Sequence, residues 1–161
     1  MQACAPGKLI LSGEHSAVYG APALALAVKR HIICHSSDSD LNGLSWSLPE
    51  LQRQGHISWS DLVLLAQQLD DRFAMFERKE LPVAAILQAP EQLLLYAIAQ
   101  LLTESRPVSG ISIQVNSQLP PGAGMGSSAA ASAAILTLFE ALFNRPMAIA
   151  DKFRMVRYCE R

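Results

Sequence analysis

Between residues 110 and 143 the chain joins a regular strand to an alanine-rich helix through a loop that has glycine at every second position. Apolar and polar residues alternate over 110–116, which is the period of a strand with one buried face. The segment Pro-Gly-Ala-Gly-Met-Gly-Ser-Ser follows at 121–128, and an alanine-rich run then continues to about Phe143. Alanine propagates a helix well, so the pattern predicts a strand, a tight turn and a helix in immediate succession.

The alternate glycines make this loop a candidate anion cradle. Without a Cβ, glycine adopts positive φ and lets an anion approach the backbone closely. The N–H groups in the first turn of the following helix lack an intrahelical acceptor, and the helix dipole favours negative charge there. Serine hydroxyls can donate to phosphate or bind Mg²⁺. The candidate phosphate-binding residues are Pro121, Gly122, Ala123, Gly124, Met125, Gly126, Ser127 and Ser128.

Two familiar phosphate loops are excluded. No Gly-Lys-Ser/Thr follows the glycines, so the loop is not a Walker A motif. The glycine spacing does not fit a dinucleotide fingerprint, and Glu140 lies inside the same helix instead of supplying the acidic residue about 20 residues later. The structural alternative is a flexible glycine turn in which a serine caps the helix.

The N-terminal segment places a lysine, a glutamate and a histidine around a short apolar run. Glycine turns flank residues 9–11, which predicts a strand between tight loops. Lys8 can supply compact positive charge to a phosphoryl group in transfer. Glu14 and His15 suit the binding of a small hydroxy acid. The alternatives are a solvated lysine and structural roles for the other two side chains.

A last helix is predicted from about Ala148 to the end of the chain. At about 100° per residue, Ile149, Phe153, Val156 and Glu160 fall within about 60° of each other. Glu160 is therefore expected on an apolar stripe, where a carboxylate needs a partner because a lone buried charge is costly. Mg²⁺ would be such a partner, and the alternative is an exposed terminal glutamate.

Composition narrows the class of protein. Half of the 161 residues are hydrophobic and 17% are charged, which suits a folded domain and argues against disorder. The formal net charge of −1 does not suggest a nucleic-acid surface or a polybasic membrane patch. The three cysteines are widely spaced, and no apolar run reaches the ~18 residues that a bilayer requires. We expect a cytoplasmic protein without disulfides, zinc, nucleic acid or membrane partners.

The rest of the chain predicts interleaved strands and helices. Residues 22–35 become β-prone toward their end, and one short strand is expected near Trp46 in an otherwise loop-like stretch. Apolar spacing predicts one helix over 61–79, capped by Asp61, and another over 90–104. This order predicts an α+β domain of two layers.

Two segments resemble the GHMP kinases, which include galactokinase, homoserine kinase, mevalonate kinase and phosphomevalonate kinase. Residues 121–130 match the second motif of the family at nearly every position. Residues 5–20, Ala-Pro-Gly-Lys-Leu-Ile-Leu-Ser-Gly-Glu-His-Ser-Ala-Val-Tyr-Gly, are similar to the first motif in the form of its mevalonate kinase branch. Residues 158–161 resemble more weakly the Gly-Glu-Arg segment of the family, with Cys159 in place of the glycine.

The resemblance implies a fold of the ribosomal protein S5 domain 2-like type, with a mixed or antiparallel sheet backed by helices. It implies that residues 121–128 bind ATP, that Ser128 and Glu160 bind Mg²⁺, that Lys8 is catalytic, and that Glu14 and His15 bind the substrate. The implied reaction is ATP-dependent phosphorylation of the primary hydroxyl of mevalonate, a step of isoprenoid biosynthesis. The alternatives are a family kinase for another small alcohol, such as a sugar, and a non-catalytic nucleotide-binding fragment.

The resemblance covers only the N-terminal part of such a kinase. The last helix has no stop signal, so we expect residues 1–161 to be a truncated ATP-binding domain without the C-terminal GHMP domain. The catalytic Asp and the third glycine-rich motif of the family are not in the sequence, and Asp151 stands in the wrong context for that Asp. We therefore expect the fragment alone to be inactive, and a homodimer is left open.

Overall fold

The computed structural model of the chain describes residues 1–17, 19–102, 109–120 and 122–160. Among these residues, none of the helices combines the length and apolar character needed to cross a bilayer. The strands are β1 (Gln2–Ser12), β2 (Leu24–Ser39), β3 (Leu44–Leu48), β4 (Arg53–Ile57) and β5 (Gly110–Ser117). The helices are α1 (Glu14–Ala17), α2 (Trp59–Glu77), α3 (Glu91–Ala99), α4 (Ser127–Leu142) and α5 (Ile149–Cys159).

The five strands form one mixed sheet in the order β1-β2-β5-β3-β4. All neighbouring strands are antiparallel except β3 and β5, which are parallel. The predicted α+β class with a mixed sheet backed by helices is confirmed. The strands predicted over 110–116 and near Trp46 are present as β5 and β3.

Helix α4 connects the sheet to the other helices. It packs against strands β1 and β2, and helices α3 and α5 pack against it. Helix α2 in turn packs against α3. Ala130 and Ala134 are buried, because small side chains on this face let the helix approach the strands closely. Phe139, which is fully buried, fills the core near the other end of the helix. These contacts along its length fix the position of the first turn of α4 beside β1.

Two boundary predictions need correction. Residues 53–57 were expected to be loop but form β4, which pairs with β3 in an antiparallel hairpin. Ser58, not Asp61, caps α2, because the Ser58 hydroxyl accepts the Asp61 N–H at 3.1 Å. The helix expected over 90–104 is α3, and residues 103 and 104 of that prediction lie outside the described part of the chain.

The prediction that Glu160 lies on a buried stripe of the last helix is wrong. Ile149 and Phe153 on that stripe are 89% and 66% exposed. Helix α5 instead packs through an adjacent face, with Cys159 buried and Lys152 half-buried in an ion pair with Glu140 of α4. Glu160 follows the helix as its C-cap and is exposed. Helical spacing fixes angles between residues, but it does not say which face the fold covers.

Candidate functional site

Strand β1 passes directly over the glycine loop at Gly7 and Lys8. The pairing of β1 with β2 is irregular between Pro6 and Lys8, and the Lys8 N–H donates to the Met125 carbonyl at 2.9 Å. A Cβ on Gly7 would lie 2.5 Å from Cδ2 of Leu119, so a side chain at this position would collide with the base of the loop. The two motif segments, distant in sequence, are therefore joined by backbone contact.

The three alternate glycines give the loop its shape. Gly122, Gly124 and Gly126 have φ of 72°, 66° and 64°, in the left-handed region that glycine adopts most readily. A Cβ on either of the first two would meet nothing within 4 Å. The backbone of the loop is therefore open on that side, as the approach of an anion requires.

The first turn of α4 presents unpaired N–H groups. Gly126 is the N-cap residue, and no side chain caps the helix. The first helical hydrogen bond runs from the Ala130 N–H to the Gly126 carbonyl at 3.0 Å, which leaves the N–H groups of 127–129 without an intrahelical acceptor. Ser127 and Ser128 are exposed within this turn. The alternative in which a serine caps the helix is therefore wrong.

The Lys8 side chain lies along the start of α4. A Cβ built on Gly126 would be 2.9 Å from both Cγ and Cε of Lys8, so the lysine stem covers this glycine. The ammonium is one bond beyond Cε, and Lys8 is exposed. A cation and a set of unpaired N–H groups at a positive helix end thus share one corner, which is an arrangement suited to a multiply charged anion.

A cleft of about 840 Å³ opens beside this corner, within the size range of small-molecule sites. Ser127 and Ser128 line it next to Gly122, and Arg30 and Glu50 add charged groups. Its remaining walls are largely apolar and come from β2, β5, α3 and α4 and from the segments near Leu51 and Leu87. The apolar residues are Ile32, Leu48, Leu51, Leu87, Ala89, Pro90, Leu93, Leu94, Val115, Leu119, Pro120 and Ala131, and the further polar residues of the lining are Gln88, Ser117, Gln118 and Ser132.

The structure does not join the other candidate residues to the loop. Glu14 and His15 lie in α1, exposed, and β1 continues for about 13 Å past Lys8 before that helix begins. No hydrogen bond or ion pair of the described residues involves either side chain, and none joins Glu160 to Ser128. Pro121 lies outside the described residues. The roles of all four residues remain predictions.

The described residues do not form a metal site from protein side chains alone. Within 1–17, 19–102, 109–120 and 122–160, no group of three His, Cys, Asp or Glu side chains is placed so that it could hold a metal ion. The hydroxyl of Ser128 fits one position of a Mg²⁺ shell, because it is an exposed oxygen ligand at the edge of the cleft. Phosphate oxygens and water fill most positions of Mg²⁺ in nucleotide sites. The residues present therefore suit a metal that arrives with a polyphosphate.

Two displaced pKa values belong to the fold and not to the predicted site. Burial, and secondly the nearby Cys4 thiol, raises the pKa of Cys34 to about 12. The hydrogen bond from Lys152, and then the one from the Met147 N–H, holds the pKa of Glu140 below its ordinary value. Cys34 lies in the buried face of the sheet and Glu140 at the contact between α4 and α5, so neither shift belongs to the predicted site.

Gly122, Ser127 and Ser128 of the cleft lining were among the residues predicted from the sequence, but the other lining residues, including Ser132, were not. A signal was available, because Ser128, Ala131 and Ser132 lie at positions i, i+3 and i+4 of one helix and therefore share a face. The other walls come from separate elements and follow no local pattern.

Residues 93–161 match the family model of the GHMP kinases N terminal domain. Together with the mixed sheet, this match identifies the chain as carrying the N-terminal domain of the GHMP kinases. Among curated proteins, it is similar to mevalonate kinases: that of Pyrococcus horikoshii is 34% identical over 134 residues, which cover 83% of this chain and 36% of the relative.

Solved structures show the same fold. The mevalonate kinase of Methanococcus jannaschii matches with a TM-score of 0.82 and 19% identity, over 99% of this chain and 45% of that one. Galactokinase of Lactococcus lactis, solved with galactose, matches with a TM-score of 0.73 and 13% identity, over 99% of this chain and 37% of that one. The chain thus spans less than half the length of each of these proteins.

Proposed function

We propose that the whole protein transfers the γ-phosphoryl group of ATP to the primary hydroxyl of mevalonate. The observation that supports this most is the corner where Lys8 covers Gly126 beside the uncapped start of α4. The similarity to curated mevalonate kinases supports the choice of substrate.

We assign the two parts of ATP to the two parts of the site. The triphosphate lies over the loop 122–126 and accepts hydrogen bonds from the N–H groups of 127–129. The adenosine enters the apolar cleft, where Leu94, Val115 and Leu119 can pack against the purine. Both parts are adjacent in the structure, because Ser127 and Ser128 line the cleft and also begin the helix.

Lys8 is the proposed catalytic residue. In the reaction the substrate oxygen forms a bond to the γ-phosphorus while the bridging P–O bond to the β-phosphate breaks, ADP leaves, and the hydroxyl proton passes to a general base. Negative charge spreads over the transferring group, and a fixed ammonium beside it stabilises that charge without reorganisation. A bound Mg²⁺ would neutralise phosphate charge, with the Ser128 hydroxyl and the Glu160 carboxylate as its proposed protein ligands. Glu14 and His15 are proposed to bind the substrate.

Another small alcohol is the second candidate substrate. The fold is shared with a galactokinase that was solved with galactose, so the architecture does not choose between mevalonate and a sugar. We also propose a cytoplasmic location, because Cys4, Cys34 and Cys159, which all lie among the described residues, form no disulfide with one another, as is usual in reducing compartments.

The first test is calorimetric titration of the 161-residue chain with MgATP, MgADP and magnesium tripolyphosphate. We expect one site for each ligand, and tighter binding of the nucleotides than of tripolyphosphate, because the cleft contacts the nucleoside. Transfer is then assayed on the whole protein with mevalonate, galactose and homoserine as acceptors. Preference for another acceptor would overturn the substrate, and absence of binding by all three phosphate ligands would overturn the site.

A further inference from the structure

Ser132 carries a buried hydroxyl that no other residue in the described part of the chain satisfies. The residue is 1% exposed, and its Oγ has no hydrogen-bond partner among the described residues. It lines the cleft beside the loop. Leaving a buried hydroxyl unpaired is unfavourable, and such groups in folded proteins usually have a protein or water partner.

The neighbouring residues show that the hydroxyl is not needed for helix formation. Positions 129–131, 133 and 134 of the same helix are all alanine, which has the best helix propensity and adds no polar group. Thr137, further along α4, satisfies its own hydroxyl by donating to the Ala133 carbonyl at 2.8 Å. Ser132 makes no such bond. A partner for its hydroxyl would therefore come from a water or a ligand in the cleft that Ser132 lines.

The position of Ser132 indicates which part of a nucleotide it would meet. Ser128 and Ser132 are four residues apart, so the second lies about 6 Å further along the same face of α4. The first turn faces the proposed phosphates, and the same cleft is lined by Leu94, Val115 and Leu119, where we place the nucleoside. A group next to Ser132 therefore belongs to the nucleoside and not to the phosphate chain.

We propose that Ser132 is a nucleoside-binding residue whose Oγ forms a hydrogen bond with a ribose hydroxyl or a purine nitrogen of the bound nucleotide. This inference rests on the proposed nucleotide function. Among the described residues the hydroxyl has no protein partner in the free chain, and it gains a partner in the complex, so it favours binding at a cost to the stability of the free chain.

The test compares Ser132→Ala with the unmodified chain. We expect the Kd for MgADP to rise about tenfold, because the complex of the variant lacks one hydrogen bond, and the Kd for magnesium tripolyphosphate to stay the same. The Tm of the free chain should rise by a few degrees, because the variant removes an unsatisfied buried group. Thr137→Val is the matched control: it removes a satisfied hydroxyl from the same helix, and should lower the Tm and leave MgADP binding unchanged.

The outcomes separate the two proposals. If the chain binds MgADP and Ser132→Ala binds it equally well, the role of Ser132 is overturned and the nucleotide site stands. Equal weakening of MgADP and tripolyphosphate also overturns it, because the effect would then lie at the phosphates. A chain that binds neither ligand overturns both proposals. A further titration uses 2′-deoxy-ADP. If the unmodified chain and Ser132→Ala then bind equally well, the contact is to the 2′-hydroxyl; if the unmodified chain still binds more tightly, the contact is to another nucleoside atom. Both results support the proposal.

Discussion

Replacing Gly126 with alanine is expected to weaken MgATP binding by at least about tenfold, while the chain stays folded. Alanine at φ 64° is strained by about 1–2 kcal/mol. Its Cβ would also lie 2.9 Å from Cγ and Cε of Lys8. The lysine stem is flexible and can rotate away, so the larger effect is the loss of its ammonium from the start of α4.

Gly20→Ala provides the matched control for Gly126→Ala. Gly20 has φ of 83°, and a Cβ there meets nothing within 4 Å, so the variant carries similar backbone strain without a contact to Lys8. We expect a similar fall in Tm for both variants and loss of affinity only for Gly126→Ala. In a Lys8→Ala background, the effect of Gly126→Ala on affinity should nearly disappear, as in a double-mutant cycle of contacting residues. Additive effects in that cycle would contradict the proposed contact.

Replacing Lys8 with methionine is expected to raise the Kd for MgATP about 10–100-fold, because a charge-assisted hydrogen bond contributes about 1.5–3 kcal/mol. Methionine keeps an unbranched stem over Gly126 and removes only the charge. In the whole protein, kcat should fall by about 10²–10³-fold, since the ammonium acts on charge that develops in the transition state. Binding is measured by calorimetry, and transfer by ADP release under saturating ATP.

Lys29→Met controls for a general loss of positive charge. Lys29 is exposed on β2 and belongs to neither the loop nor the cleft. We expect its Kd and kcat to match those of the unmodified protein, and both variants to keep the original Tm within about a degree or two, as for most surface substitutions. Equal effects of Lys8→Met and Lys29→Met on affinity would show that Lys8 has no specific role.

The backbone of the glycine loop and its flanking elements was predictable because the signals for them are local. The alternation over 110–116 became β5, the alanine-rich run became α4, and all three loop glycines have positive φ. Each of these features depends on the conformational preferences of a few consecutive residues. The sequence could not show that the Lys8 side chain covers Gly126. The two residues are far apart in sequence, and the packing of α4 against the sheet brings β1 and the loop together.

The predictions that failed concern features that depend on the tertiary contacts of a segment and not on its own residues. Residues 53–57 read as loop because four of the five, Arg53, Gln54, Gly55 and His56, are not apolar, which suits the exposed edge strand that they form. The last helix covers the face that carries Met155 and Cys159, with Lys152 paired to Glu140 of α4, and leaves its Ile149 face exposed. The cleft joins elements that are far apart in sequence, so Ser132 could be recognised only once those elements were in place.

Backbone amide shifts recorded while MgATP is added to the isotopically labelled chain test the polyphosphate cradle most directly. If the unpaired N–H groups at the start of α4 receive the phosphates, the largest changes will be at 127–129 and at Lys8, and magnesium tripolyphosphate will reproduce them. Changes confined to another surface, such as the β3–β4 hairpin, with the amides of 127–129 unaffected at saturation, would contradict the account.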